Sequence, residues 1–145
     1  MESIPSRTPW HVWFIGGLTL VWNSFGALDY LMTQTQNASY MSQFTQEQLE
    51  FFYGFPWWVT AAWAVAVWGG VAGSLALLFR RSIAVPVFAA SLLAMMVTTF
   101  HNYVLADAAA VMGGMGPIIF SLVIFLVAVG LFLYARRMRA VGVLR

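Results

Sequence analysis

The chain lacks cysteine and lysine altogether, and only 8% of its 145 residues are charged. The absence of cysteine excludes disulfide bonds, thiolate metal sites, iron–sulfur clusters and a cysteine nucleophile. The absence of lysine excludes Schiff-base catalysis, and the sequence has neither a phosphate-binding loop nor a nucleophile elbow. A soluble domain carries about 25% charged residues, so this chain has too little charge to cover a water-facing surface. We therefore expect a membrane protein that is not an enzyme.

What the chain has in excess is apolar sequence, because 61% of its residues are hydrophobic. Crossing a bilayer takes about 20 mostly apolar residues in a helix. Four segments meet this requirement, at about residues 10–32, 56–79, 82–106 and 117–135. The predicted fold is an all-α integral membrane protein, a single domain over residues 1–145 with four transmembrane helices in an up-down bundle.

The arginines predict how these helices are oriented. Loop arginine accumulates on the cytoplasmic side of a membrane. An even number of crossings puts every arginine on one side together with both termini, which we therefore expect to be cytoplasmic. Because the arginines sit at helix ends, they form no surface for nucleic acid. These residues are Arg7, Arg80, Arg81, Arg136, Arg137, Arg139 and Arg145.

A long polar loop, about residues 33–55, joins the first two predicted helices on the outer side. Within it, Thr45 and Gln48 have the spacing of a capping box, in which each side chain bonds the other residue's backbone N–H. Apolar residues follow the box at helical spacing. We expect a short amphipathic helix, about residues 45–54, lying on the outer surface of the membrane.

Small residues recur along the second and third predicted helices, where they let two backbones approach closely. Packing these two stripes against each other explains the hairpin at Arg80 and Arg81 by contacts within the chain. The alternative is that the stripes form the interface of a homo-oligomer. The residues are Ala62, Ala66, Gly69, Gly70, Gly73 and Ser74 in the second helix, and Ala90, Ala94 and Thr98 in the third.

One polar cluster is expected inside the membrane. Asp29 and His101 each lie about 19 residues into their helices, so at about 1.5 Å per residue both reach the outer boundary of the hydrocarbon. Paired there, they can bind a cation, hydrogen-bond a quinone or sugar hydroxyl, or relay a proton. The alternative is a hydrated or purely structural pair. The surrounding candidates are Asn23, Tyr30, Trp57, Trp58, Asn102 and Tyr103.

The sequence predicts no bound cofactor or metal. Bis-histidine haem needs two imidazoles at one depth, whereas His11 begins the first helix on the cytoplasmic side and His101 lies near the outer end of the third. A haem held by histidine and methionine, or a quinone at the polar cluster, stays open as an alternative. For a metal, one histidine and one or two carboxylates are fewer ligands than a closed site uses.

The chain also resembles a known group of proteins. The resemblance is carried by the run Trp22-Asn23-x-x-Gly26-x-x-Asp29-Tyr30, then Met32-Thr33-Gln34-Thr35, Phe55-Pro56-Trp57-Trp58 and the Arg80-Arg81 hairpin, and it extends to Phe100. This pattern is similar to that of small four-helix bacterial inner-membrane proteins, some of which carry a sugar transporter label. The resemblance implies a bacterial inner-membrane location and a polar solute, and it carries over no catalytic or binding motif.

Two functional hypotheses follow from the sequence. The first is a non-enzymatic membrane protein that acts through helix–helix contacts, as an accessory subunit of a larger complex or as a homo-oligomer. The second is a transport or ligand-binding protein for a small solute, with its site at Asp29 and His101 facing the periplasm. In both, the partners are the lipid bilayer and other membrane helices.

Overall fold

The computed structural model describes residues 7–145, and this part of the chain is helical with no β-strand. The α5 helix continues directly into a turn of π-helix at His101–Leu105. The predicted all-helical class is confirmed, whereas α2, α6 and the π-helical turn are additions to the prediction. The helices are α1 (Trp10–Gln34), α2 (Ala38–Met41), α3 (Gln46–Tyr53), α4 (Trp57–Leu78), α5 (Ala84–Phe100), α6 (Ala108–Met112) and α7 (Gly116–Ala140).

Three of these helices are long and apolar enough to cross a membrane: α4, α5 together with its π-helical turn, and α7. This is compatible with a membrane protein. The α1 helix is 25 residues long but is not among the three. Its sequence contains His11, Asn23, Asp29 and Gln34, which lower its mean hydropathy.

The long helices pack in the order α1, α4, α5, α7. Between α1 and α4, the Asn23 Nδ2 donates to the Gly70 carbonyl at 3.1 Å. Between α4 and α5, the Ser91 hydroxyl donates to the Ala66 carbonyl at 2.6 Å. The α1 and α7 helices meet where the His11 Nδ1 lies 2.6 Å from the Tyr134 hydroxyl. Hydrogen bonds from polar side chains therefore link the long helices to one another.

One end of the molecule, here the arginine end, is formed by the start of α1, the Arg80–Ser82 turn, the last turns of α7 and residues 141–145. There the Arg145 N–H donates to the Arg80 carbonyl, and the Ser82 N–H donates to the Arg145 carbonyl, each at 2.8 Å. Beneath these bonds lies the apolar core of the protein. Its buried members are Val12, Leu77, Ala84, Val85, Phe88, Leu131, Ala135, Met138, Val143 and Leu144.

The other end, here the loop end, is formed by α2, α3, α6 and their connections. The predicted capping box is present at the start of α3, because the Thr45 hydroxyl accepts from the Gln48 N–H and the Gln48 side chain accepts from the Thr45 N–H. Aromatic rings hold this end together: Phe52 packs edge-on against Phe44 at 5.1 Å. Phe55 packs the same way against Phe51 at 5.2 Å.

Most of the predicted small residues of α4 and α5 face other helices of the same chain. A Cβ added to Gly69 would lie 3.0 Å from the Ser91 Cβ, and one added to Gly73 would lie 2.5 Å from the Phe88 ring. Ala90 is exposed, contrary to the predicted stripe, because a strict four-residue spacing drifts around a helix of about 3.6 residues per turn. Ala66, Gly70, Gly73, Ser74 and Ala94 are buried, while Ala62, Gly69 and Thr98 are half-buried.

Candidate ligand-binding cavity

A cavity of about 750 Å³ lies between α1, α4, α5 and α7. Towards the arginine end it stops at Gly70, Phe88 and Leu131, and the last two belong to the packed core. Towards the loop end it is covered by rings that include Phe44 and Phe52. A pocket for a small molecule in a protein typically has a volume of about 300–1,000 Å³, so this cavity is large enough for one.

The cavity reaches the surface of the molecule between α1 and α7. Phe25 and Leu28 of α1, and Phe120 of α7, line it and are nevertheless 67%, 44% and 58% exposed. Trp22 and Phe120 approach each other across this seam, with ring centroids 6.2 Å apart. The opening therefore faces sideways, between two long helices.

Most polar groups on the cavity wall already have partners within the protein. Besides its bond to Gly70, the Asn23 Nδ2 donates to the Ser74 hydroxyl at 3.0 Å. The Tyr103 hydroxyl lies 2.6 Å from the Ser121 hydroxyl. Thr98 and Asn102 also line the wall. The wall is thus largely apolar, with a few polar positions available to orient a ligand.

Asp29 lies on the cavity wall at the loop end, and its hydrogen-bond donor is Tyr40 of α2. The Tyr40 hydroxyl donates to the Asp29 Oδ1. Burial, together with this bond and the negative charge of Asp29, raises the pKa of Tyr40 to about 12. The phenol therefore stays neutral near pH 7 and remains a donor to the carboxylate.

Tyr40 was missed by the sequence analysis, although a local signal was available. Asparagine is a favoured N-cap residue because its side-chain oxygen accepts a backbone N–H of the first turn. Asn37 does this here, accepting from the Tyr40 N–H at 3.0 Å. Recognising Asn37 as a cap would have predicted α2, but not the approach of Tyr40 to Asp29.

His101 does not pair with Asp29, contrary to the prediction. Its ring is buried between Phe55 and Trp58, edge-on to both, at centroid distances of 5.6 and 5.4 Å. Its Nδ1 lies 3.1 Å from the Asn102 Oδ1. Equal depth along two helices does not fix the direction in which each side chain points, and here the directions differ.

The remaining predicted site residues are divided between the cavity and its surroundings. Asn23, Asn102 and Tyr103 line the cavity. Tyr30 packs edge-on against Trp63 at 5.1 Å. Trp57 is 82% exposed, so it belongs to the surface and not to the cavity.

The ionisable side chains on the wall limit which ligands the cavity can bind. Among the described residues that line the cavity, Asp29 is the one carboxylate, and none is arginine or histidine. No group of three histidine or acidic side chains suited to a metal ion occurs within residues 7–145. The two imidazoles lie apart, since His11 contacts Tyr134 near the arginine end and His101 lies at the loop end.

In comparisons with known proteins, no family model, no curated protein and no solved structure matches this chain. A functional assignment therefore rests on the cavity itself.

Proposed function

We propose that the chain crosses a bacterial inner membrane four times as an up-down bundle and binds a small, largely apolar molecule in its central cavity. The observation that carries this proposal is the cavity of about 750 Å³ between the long helices. Protein interiors are normally close-packed, with few voids larger than a water molecule. A space of this size between packed helices, open at its side, is best explained by an occupant that enters there.

The fourth crossing is supported by how α1 distributes its polar side chains. Twenty-five helical residues at about 1.5 Å per residue give a length of about 37 Å, enough to cross a bilayer. Its polar groups are directed into the protein, since Asn23 bonds α4 and Asp29 accepts from Tyr40. Apart from Ser24, whose hydroxyl donates to the Leu20 carbonyl, and Gln34 at the end of the helix, its exposed side chains are apolar and suited to lipid. They include Phe14, Leu18, Val21 and Phe25.

The arginines support an orientation with the arginine end in the cytoplasm, because loop arginine is concentrated there. They gather at that end in two groups, Arg80 with Arg81 and the last turns of α7 with Arg136, Arg137 and Arg139. In this orientation the cavity and Asp29 lie in the outer half of the membrane. The sideways opening between α1 and α7 then faces the hydrocarbon of the outer leaflet.

The alternative hypothesis is a scaffold that acts through helix–helix contacts. It is weakened because the small residues already pack against helices of the same chain. In membranes, small residues mark the interfaces where helices approach closely. Gly69 and Gly73 face α5, and Gly70 faces Asn23 of α1. Because these surfaces are used within the chain, they do not provide an interface for a second copy.

A cavity-filling variant tests the proposal. We expect Ala128→Phe, on the cavity wall, to abolish saturable photolabelling of the detergent-solubilised protein by a neutral long-chain alcohol that carries a diazirine. The added ring would occupy the space that the probe needs. Mass spectrometry of the labelled peptides locates the site, which we expect on cavity residues in the unmodified protein.

The matched control is Gly130→Phe, on the same helix, where an added Cβ meets nothing within 4 Å. This variant should label like the unmodified protein, because its new ring points away from other helices. Equal saturable labelling of the Ala128→Phe protein, or labels confined to the exposed face of α7, would overturn the proposal.

A further inference from the structure

The cavity contains an electrostatic asymmetry that identifies the class of its ligand. Asp29 is the one carboxylate among the described lining residues, and no arginine or histidine lines the wall with it. The arginines of the described chain lie mainly at the arginine end, away from Asp29. Arg80, for example, donates to the Thr8 hydroxyl there. A negative charge on a largely apolar wall without a cationic partner favours a positively charged ligand.

The geometry of the carboxylate leaves it available to a ligand. Tyr40 donates to the Asp29 Oδ1 alone, so the Oδ2 remains as an acceptor. Tyr40 also fixes the position of the carboxylate at the edge of the cavity. A cation that enters through the α1–α7 opening passes Phe25, one turn of helix before Asp29, and Leu28, the residue next to Asp29.

The wall around Asp29 suits the apolar body of such a ligand. Aromatic rings line the cavity on every side, and the face of an aromatic ring attracts a cation within about 6 Å of its centre. The rings that line the cavity include Trp22, Trp63, Phe44, Phe55, Tyr103 and Phe120. Aromatic walls with a single carboxylate are complementary to an organic cation that carries its charge on an apolar framework.

We propose that the ligand is a hydrophobic organic monocation, taken from the outer leaflet through the α1–α7 opening, with Asp29 as its counter-ion. This inference rests on the proposed function, since it assumes that the cavity binds a small molecule. It excludes anionic amphiphiles such as lipid phosphates, which would meet the carboxylate without a basic residue to offset the repulsion.

Two ions of the same shape and opposite charge provide the test. Tetraphenylphosphonium and tetraphenylborate are added to the detergent-solubilised protein, and binding is measured by equilibrium dialysis. We expect the cation to bind more tightly than the anion. We expect Asp29→Asn to weaken cation binding by about ten-fold, since it removes the negative charge that faces the ligand. Anion binding should stay the same or improve.

Asp107→Asn is the matched control, because it makes the same chemical change at an exposed residue of the loop end that does not line the cavity. It should bind both ions like the unmodified protein. Tyr40→Phe removes the bond to Asp29 but keeps the charge, so it should retain the preference for the cation. It therefore shows whether weaker cation binding by Asp29→Asn comes from the lost charge or from a disturbed fold.

The outcomes distinguish this inference from the proposed function. Binding of the neutral alcohol probe with equal affinity for the two ions would overturn the inference and leave the proposed function standing. Failure to bind the neutral probe and both ions would overturn both. An unchanged affinity of Asp29→Asn for tetraphenylphosphonium would also overturn the inference.

Discussion

The two ends of the molecule are packed differently. At the arginine end, Leu77 and Ala135 are fully buried, and Val143 and Leu144 fill the space between the helix ends. At the loop end, three short helices and a group of aromatic rings cover a cavity of about 750 Å³. The arginine end thus contains the close-packed core, whereas the loop end covers the cavity in which we propose that a ligand binds.

The glycines show the same contrast on a smaller scale. Gly73 lies against the Phe88 ring and has no room for a side chain. Gly113 and Gly114, in the connection between α6 and α7, meet nothing within 4 Å and adopt a φ of 74° that other residues rarely accept. Gly73 is therefore needed for close packing, whereas Gly113 and Gly114 are needed for their backbone conformation.

The two ends should lie on opposite sides of the membrane, and labelling of introduced cysteines should show this. The chain has no cysteine, so single cysteines can be introduced and labelled without background. We expect a membrane-impermeant thiol reagent, applied to intact cells, to label Ser39→Cys at the loop end and not Ala140→Cys at the arginine end. Both positions are exposed, so accessibility within the fold is matched. Permeabilised cells should label both variants, and labelling of Ala140→Cys before permeabilisation would contradict the proposed orientation.

Enlarging a buried side chain at the arginine end should destabilise the fold. We expect Gly73→Val to lower the free energy of unfolding by about 2 kcal/mol, because overfilling a well-packed core forces side chains and backbone to shift. The measurement is unfolding of the purified protein in mixed micelles with increasing denaturing detergent. Gly130→Val, which meets open space on α7, should unfold like the unmodified protein. Equal stability of the two variants would show that the α4–α5 contact is looser than described.

The sequence predicted those features that depend on neighbouring residues. The capping box at Thr45 and Gln48 is local, because both partners lie within one turn of helix. Likewise, the apolar character of α4, α5 and α7 is a property of each segment alone. Such features need no knowledge of how the helices rotate against one another.

The candidate site was harder to predict because it depends on helix rotation. The depth of Asp29 and His101 follows from counting residues, but the direction of each side chain depends on tertiary packing. Phe55 and Trp58 enclose His101, while Tyr40 approaches Asp29 from a helix that was not predicted. The cavity could not be predicted at all, because it results from space that the side chains of four helices leave unfilled.

Tyr40 of α2 contacts Asp29 on the cavity wall. The free energy of unfolding should therefore depend modestly on pH in the alkaline range. Burial and the neighbouring Asp29 raise the pKa of Tyr40 from 10.0 to about 12, so the fold favours the neutral phenol. This contribution is fully present below pH 10 and is lost as the pH rises towards 12. We expect unfolding in mixed micelles to become easier over this range in the unmodified protein, and less so in Tyr40→Phe. Asp29→Asn should reduce the dependence only in part, because it removes the negative charge but not the burial. The same slope for Tyr40→Phe and the unmodified protein would show that Tyr40 is not held against Asp29, and the loop end would then be looser than the contact implies.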